Sequence, residues 1–291
     1  MPERKEFCSE ESRENAEPLA ATASRVDHWL LVEYRGLWAH DVLPGSGLSD
    51  QVKAHLREQA AARPRTKLLF VRRTERRGRP GLAVLWGSSP ERGGTLFHAE
   101  VEGYEDLLGL DLTGPGEPLT HPLLLVCTHG KHDRCCARYG RPLYHALTEQ
   151  ADEDWVWQSS HVGGDRFAGN AVFLPDGLYF GRVGPGEAWP VLDEYLAGRI
   201  HLELYRGRSC YSFAEQTAER AVREATGLRG IDDLELVEHD GSHVVFRVGR
   251  RRRFDVGVTF EPGELTYLTC SSETLRRPRY YAARILRESG A

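Results

Sequence analysis

Residues 122–136 read PLLLVCTHGKHDRCC. The opening apolar run suits a buried strand. Cys127 follows it directly, at the place where ligands of α/β folds gather, outside the carboxyl end of a strand. Cys135 and Cys136 stand where the next helix, expected over 136–150, begins. A helix N-terminus favours thiolate over thiol. Three cysteines in one short polar loop are poor core material, and thiolates are what metal ions and iron–sulfur clusters require.

Working outward, DWVWQSS (154–160) reads as another strand. It leads into SHVGGDRF (160–167), where His161 and Asp165 flank two glycines that allow tight turning and close approach to a bulky group. His161 and Asp165 both have metal-ligating side chains, and Arg166 has the donors to reach cluster sulfurs or pair with Asp165. Residues 171–174 and 178–183 form a strand pair around the turn Pro175-Asp176-Gly177. A helix at 190–198 completes the order β-α-β-β-β-α.

The same order stands upstream: strand 28–34, helix 49–62, strands 67–71, 82–86 and 95–101, and a short helix at 104–110. Ser49 or Asp50 is the N-cap. The Gly/Pro-rich stretch TGPGEPLTHP (113–122) separates the copies. This is the element order of a thioredoxin-like domain, repeated. The expected fold is α/β: a degenerate thioredoxin-like domain over 1–116, a second such domain carrying the site over 117–200, and a small α+β appendage over 201–291. In the appendage, helix 213–226 ends at Gly227, and antiparallel strands are expected at 234–238, 243–248, 253–260 and 265–269.

Composition narrows the function classes. The 291 residues carry 38 basic and 43 acidic side chains, a net charge of −5, which argues against a nonspecific nucleic-acid binder. No stretch approaches the roughly 20 apolar residues of a membrane helix. The charged opening MPERKEFCSEESRENAEPLA does not read as a secretory signal, so the expected compartment is the cytoplasm. Six cysteines there are better read as thiols, metal ligands or redox groups than as a disulfide framework. Cys8, Cys210 and Cys270 are widely spread and read as isolated thiols. The run RRRR at 250–253 reads as a solvated turn, RTERRGRP at 73–80 as a solvated loop, and GRVGPG at 181–186 as a turn with no nucleotide-binding pattern.

CTHGKHDRCC, SHVGGDRFAGN and LPDGLYFGRV together resemble the sucrase/ferredoxin-like family, thioredoxin-like [2Fe-2S] ferredoxins, most strongly over residues 122–183. The start of the chain and RGRSCY at 206–211 look like bacterial members too. The resemblance implies a [2Fe-2S] cluster held by two cysteines and two histidines. Its cysteines map onto Cys127 and Cys136, and its first histidine onto His161. Where histidine-containing members read HxGGH, this chain has Asp165. Three completions therefore stand open: Asp165 as an oxygen ligand, Cys135 as a third thiolate, or no stable cluster.

The function expected on this reading is cluster-binding electron transfer to an unidentified redox partner, with proton coupling through the histidine ligand and neither nucleic acid nor membrane as partner. His129, His132 and Asp133 shape the loop or act as proton relay. Lys131, Arg134 and Arg166 would receive an acidic partner. The alternatives are a thioredoxin-like thiol oxidoreductase through Cys127 and Cys135 or Cys136, and a zinc-binding structural domain. No paired carboxylates for glycoside hydrolysis can be located. The first copy lacks a matching cysteine after HWLLVEY, so it is expected to be a structural partner or a homodimer surface.

Overall fold

The computed structural model describes residues 7–73 and 81–290, so most of the expected loop at 73–80 lies outside the described residues. A short helix α1 (Cys8–Glu14) precedes the first half of the large sheet. That half consists of β1 (His28–Glu33), α2 (Asp50–Ala61), β2 (Thr66–Arg72), β3 (Leu82–Ser88) and β4 (Thr95–Val101), followed by a 3-10 helix, Tyr104–Gly109. Ser49 caps α2, its hydroxyl accepting from the Val52 N–H. A two-residue strand β5 (Glu117–Pro118) adds to the edge of β4. The second half has β6 (Leu123–Cys127), α3 (Arg134–Thr148), β7 (Val156–Ser159), β8 (Ala171–Leu174), β9 (Leu178–Phe180) and α4 (Ala188–Leu196).

Both halves pair their strands in the same way. In the first, β1 is parallel to β2 and antiparallel to β3, which is antiparallel to β4. In the second, β6 is parallel to β7 and antiparallel to β8, which is antiparallel to β9. The halves share one sheet, because β2 meets β7 antiparallel through Val71–Ser159 and Arg72–Gln158. With β10 (Tyr205–Arg208) on β9, the sheet has ten strands in the order β10-β9-β8-β6-β7-β2-β1-β3-β4-β5. The molecule is thus mixed α/β.

The alternation of strand side chains sorts the core. Leu30, Val32 and Phe70 face α2 through Val52 and Leu56. Leu124, Phe173 and Phe180 face α3 and α4 through Leu143, Leu147, Val191 and Leu192. The other face of the curled sheet joins the halves: Trp29 and Leu31 pack with Leu125, Trp157, Cys127 and Cys136. The metal-ligating cysteines expected from the sequence therefore sit at the rim of a shared apolar interior.

The C-terminal unit pairs α5 (Phe213–Thr226) with an antiparallel sheet of β11 (Leu234–His239), β12 (His243–Val248), β13 (Arg252–Pro262) and β14 (Arg279–Ser289). Ser212 and Glu215 form a capping box, and Gly227 closes the helix at φ 72°. One expectation is corrected here. Residues 265–269 form no strand; that stretch makes only an isolated bridge, Thr266–Arg276. The fourth strand is β14, whose Tyr281, Ala283 and Ile285 face the core formed by Ala218, Val222, Phe246 and Phe254. Ala282 and Arg284 stand between them, so the alternation is not marked by polarity in the sequence.

Candidate metal centre

The parallel register of β6 and β7 places Cys127 beside Ser159. The chain therefore leaves the sheet at Ser160 and His161 next to the cysteine loop. Two backbone bonds fix that exit: the Cys127 N–H donates to the Asn170 carbonyl at 3.0 Å and the Thr128 N–H to Ser159 at 3.2 Å. Helix α3 then returns close over β6. A Cβ at Gly140 would stand 1.9 Å from the Cys127 carbonyl oxygen, so only glycine lets the helix pass there. Asp133 caps α3 by accepting the Cys135 N–H at 2.8 Å.

Cys127 and Cys136 are both 1% exposed. Their sulfurs and a ring nitrogen of His161 all lie within 4.8 Å of one another. Asp165 completes the ring of polar atoms. Its carboxylate lies 2.9 Å from His161 Nδ1 and accepts from the Cys136 thiol at 3.2 Å. Hydrogen bonding with Cys136, and then with His161, pulls the Cys127 thiol well below its ordinary pKa against the effect of burial. The same contact with Cys127, together with burial, holds the Cys136 thiol well above its ordinary value. Burial alone would lower His161, but Asp165 and Cys127 outweigh it and raise the imidazole to about 9. Burial pushes Asp165 upward and His161 more than compensates, leaving the carboxylate below its usual range. These contacts favour the charged forms of Cys127, His161 and Asp165 and the neutral form of Cys136.

The loop that delivers His161 depends on its glycines. Gly163 and Gly164 adopt φ of 111° and 83°, and a Cβ on Gly164 would lie 2.3 Å from the Arg206 guanidinium. Arg206 is 1% exposed and braces the loop from behind. It donates to the Gly163 carbonyl at 2.9 Å and to Asn170 Oδ1 at 2.8 Å. Neither its role nor that of His40 was evident in the sequence. The rings of His40, His132 and His161 stack in series, with centroids 4.7 Å and then 3.9 Å apart. His40 is exposed, so the stack runs from solvent to the site.

Other expected site residues go elsewhere. Arg166 bonds Glu17 at 2.6 Å instead of meeting Asp165 or the cysteine sulfurs. His129 Nε2 donates to the Ala39 carbonyl at 2.8 Å, and the ring lines the loop beside Trp38. Cys135 turns away from Cys136 and meets Cys8 and Cys270, which therefore are not isolated thiols. Cys210 belongs to the core under α5.

Curated relatives share the name Altered inheritance of mitochondria protein 32. That of Meyerozyma guilliermondii is 31% identical over 121 residues, covering 38% of this chain and 43% of its own. That of Eremothecium gossypii is 31% identical over 141 residues, covering 41% and 45%. The matched stretch thus spans less than half the length of these relatives. Among solved structures, a thioredoxin-like [2Fe-2S] ferredoxin from Aquifex aeolicus is 19% identical, with 30% of this chain and 91% of that one covered and a TM-score of 0.27. A likeness of that size carries no argument for a bound cluster. The expected role, cluster-binding electron transfer, is therefore corrected: relatives named only for mitochondrial inheritance and a ferredoxin likeness this weak do not show it. Among the described residues, no helix is long and apolar enough to cross a membrane. Residues 19–207, more than half of the chain, match the Sucrase/ferredoxin-like family, and the chain belongs to that family.

Proposed function

We propose that this protein binds a soft transition metal through Cys127, Cys136 and His161, with Asp165 as the neighbouring carboxylate. The observation that carries this reading is the convergence of two buried sulfurs and a half-buried ring nitrogen within 4.8 Å of one another at the end of β6. The donor set fits: thiolate and imidazole are ligands of zinc, copper and iron centres alike. Metal binding would displace the protons carried by Cys136 and His161, which makes affinity rise with pH. Asp165 would orient the imidazole, as carboxylates do beside metal-bound histidines.

The two halves support a second reading, of duplicated thioredoxin-like units over 1–116 and 117–200 followed by a unit over 201–291. Their common pairing pattern favours it, and the metal site belongs to the second copy, since β1 ends in Glu33 where β6 ends in Cys127.

Metal analysis of the full chain, purified anaerobically, tests the proposal. Cys127→Ser, Cys136→Ser and His161→Ala should each lower bound metal by at least tenfold at this site, and Asp165→Asn should weaken it by about 10- to 100-fold. Iron with acid-labile sulfide would identify the group as a [2Fe-2S] cluster, and an ion without sulfide as a mononuclear centre. Metal content unchanged in all three ligand variants sinks the proposal.

A further inference from the structure

A second group of sulfur ligands lies outside this site. The sulfurs of Cys8, Cys135 and Cys270 form a triangle with edges of 3.6, 3.2 and 3.7 Å. All three residues are buried, against Ala168 and beside Phe7 and Tyr139. None of these separations is that of a disulfide bond, about 2.05 Å. Two sulfurs bound tetrahedrally to one zinc ion, each at about 2.3 Å, stand about 3.8 Å apart. Thiolates shared between different irons of a cluster stand farther apart than ligands of one ion. Two edges of the triangle are close to that spacing and the third, Cys135–Cys270, would open by about half an ångström around a single tetrahedral ion.

Asp133 offers the fourth corner. Its Oδ1 is used in capping α3, while Oδ2 lies 3.9 Å from Cys8 Sγ and accepts the Cys270 N–H at 2.7 Å. The four ligand atoms all lie within 4.8 Å of one another. Cys135, in the first turn of α3, brings its sulfur to both of the others. We propose that Cys8, Cys135, Cys270 and Asp133 form a structural zinc site that clasps α1 and the β13–β14 connection onto the start of α3.

The clasped segments need such a device. Helix α1 has seven residues, too few to be stable alone. Residues 263–278 form a long connection with no regular strand or helix, a kind of loop uncommon without something to hold it. The two meet at Thr266, whose hydroxyl donates to Glu11 at 2.9 Å. The ligands come from chain positions up to 262 residues apart, so the binding free energy would go directly into holding the two ends of the chain together.

The site shares no ligand with the centre of Cys127, Cys136 and His161, so the two proposals can fail separately. The test is zinc content of the full chain, expressed with zinc and purified under reductant without chelator. Cys8→Ala and Cys270→Ala should each lose one zinc per chain relative to the parent, while Cys127→Ala keeps that zinc. Cys8→His, which retains a ligand, should restore it. Should the alanine variants not fold, cobalt loading of Cys136→Ala decides: intense thiolate-to-cobalt absorption supports the site and its absence overturns it. Equal zinc in the parent and both alanine variants overturns it as well, as does a disulfide joining two of the three cysteines in the reduced preparation.

Discussion

Cys135 and Cys136 are adjacent in the first turn of α3, yet they enter different clusters. Successive residues on a helix point about 100° apart, so two neighbours cannot share a narrow pocket. Cys136 turns inward to Cys127 and His161, both delivered by neighbouring strands of one half of the sheet. Cys135 turns outward to Cys8 and Cys270, from opposite ends of the chain. The inner group is built by sheet topology and the outer one by tertiary closure. One short helix start thus anchors both, and disturbing it should affect both while disturbing the outer segments should affect only one.

The largest effect should come from Gly140→Val. The added side chain would meet the Cys127 carbonyl, which cannot move without breaking β6, so α3 must shift away. Overpacking of this kind, with a backbone displacement, costs about 3 kcal/mol. Both clusters should then lose metal together, measured as metal content beside the denaturant midpoint. If the inner group emptied and the outer one stayed full, the common anchor would be the wrong description.

The same contrast explains what could be read from the sequence. Cys127, Cys136, His161 and Asp165 were legible because each follows or opens a regular element, and neighbouring parallel strands bring their ends together. Even the helix over 213–226 matched its observed limits, since Ser212 and Gly227 mark both ends chemically. The outer group was not legible. Nothing in the local pattern around Cys8 or Cys270 points to a partner 262 residues away. Likewise Arg166 had Asp165 as its sequence neighbour, but Glu17 reaches it in the fold. The strand β14 was hidden because its outward positions carry apolar Ala282 and Leu286 as well as Arg284, so no clean polar–apolar alternation marks the edge strand.

Glu17→Gln should give a middle-sized effect confined to the outer region. Glu17 is 2% exposed and its carboxylate receives the Arg166 guanidinium, while its carbonyl accepts from Arg182 at 2.8 Å. Removing the charge leaves Arg166 without its ionic partner. Arg166 keeps some access to water, so the expected loss is about 2 kcal/mol, below the cost for a fully buried pair. If zinc clasps α1, proteolysis between residues 15 and 22 should accelerate much more in the metal-stripped variant than in the zinc-loaded one. Equal acceleration in both would mean that the arm is held by its ion pairs and not by a metal.

The smallest and most local change is Tyr139→Phe. The Tyr139 hydroxyl donates to Glu10 at 2.6 Å, tying α3 to α1 one turn beyond Cys135. Its ring meets Phe7 edge-on at 6.2 Å, a contact that phenylalanine keeps. The variant therefore removes one charge-assisted hydrogen bond and little packing, for about 1 kcal/mol. Glu10 can turn to solvent, so no buried charge is stranded. Because only α1 depends on this bond, hydrogen exchange should speed up about fivefold at the α1 amides and stay unchanged in β6 and β7. A matching acceleration in those strands would show that the arm and the inner centre open as one unit, and the division between the two clusters would then be geometric but not energetic.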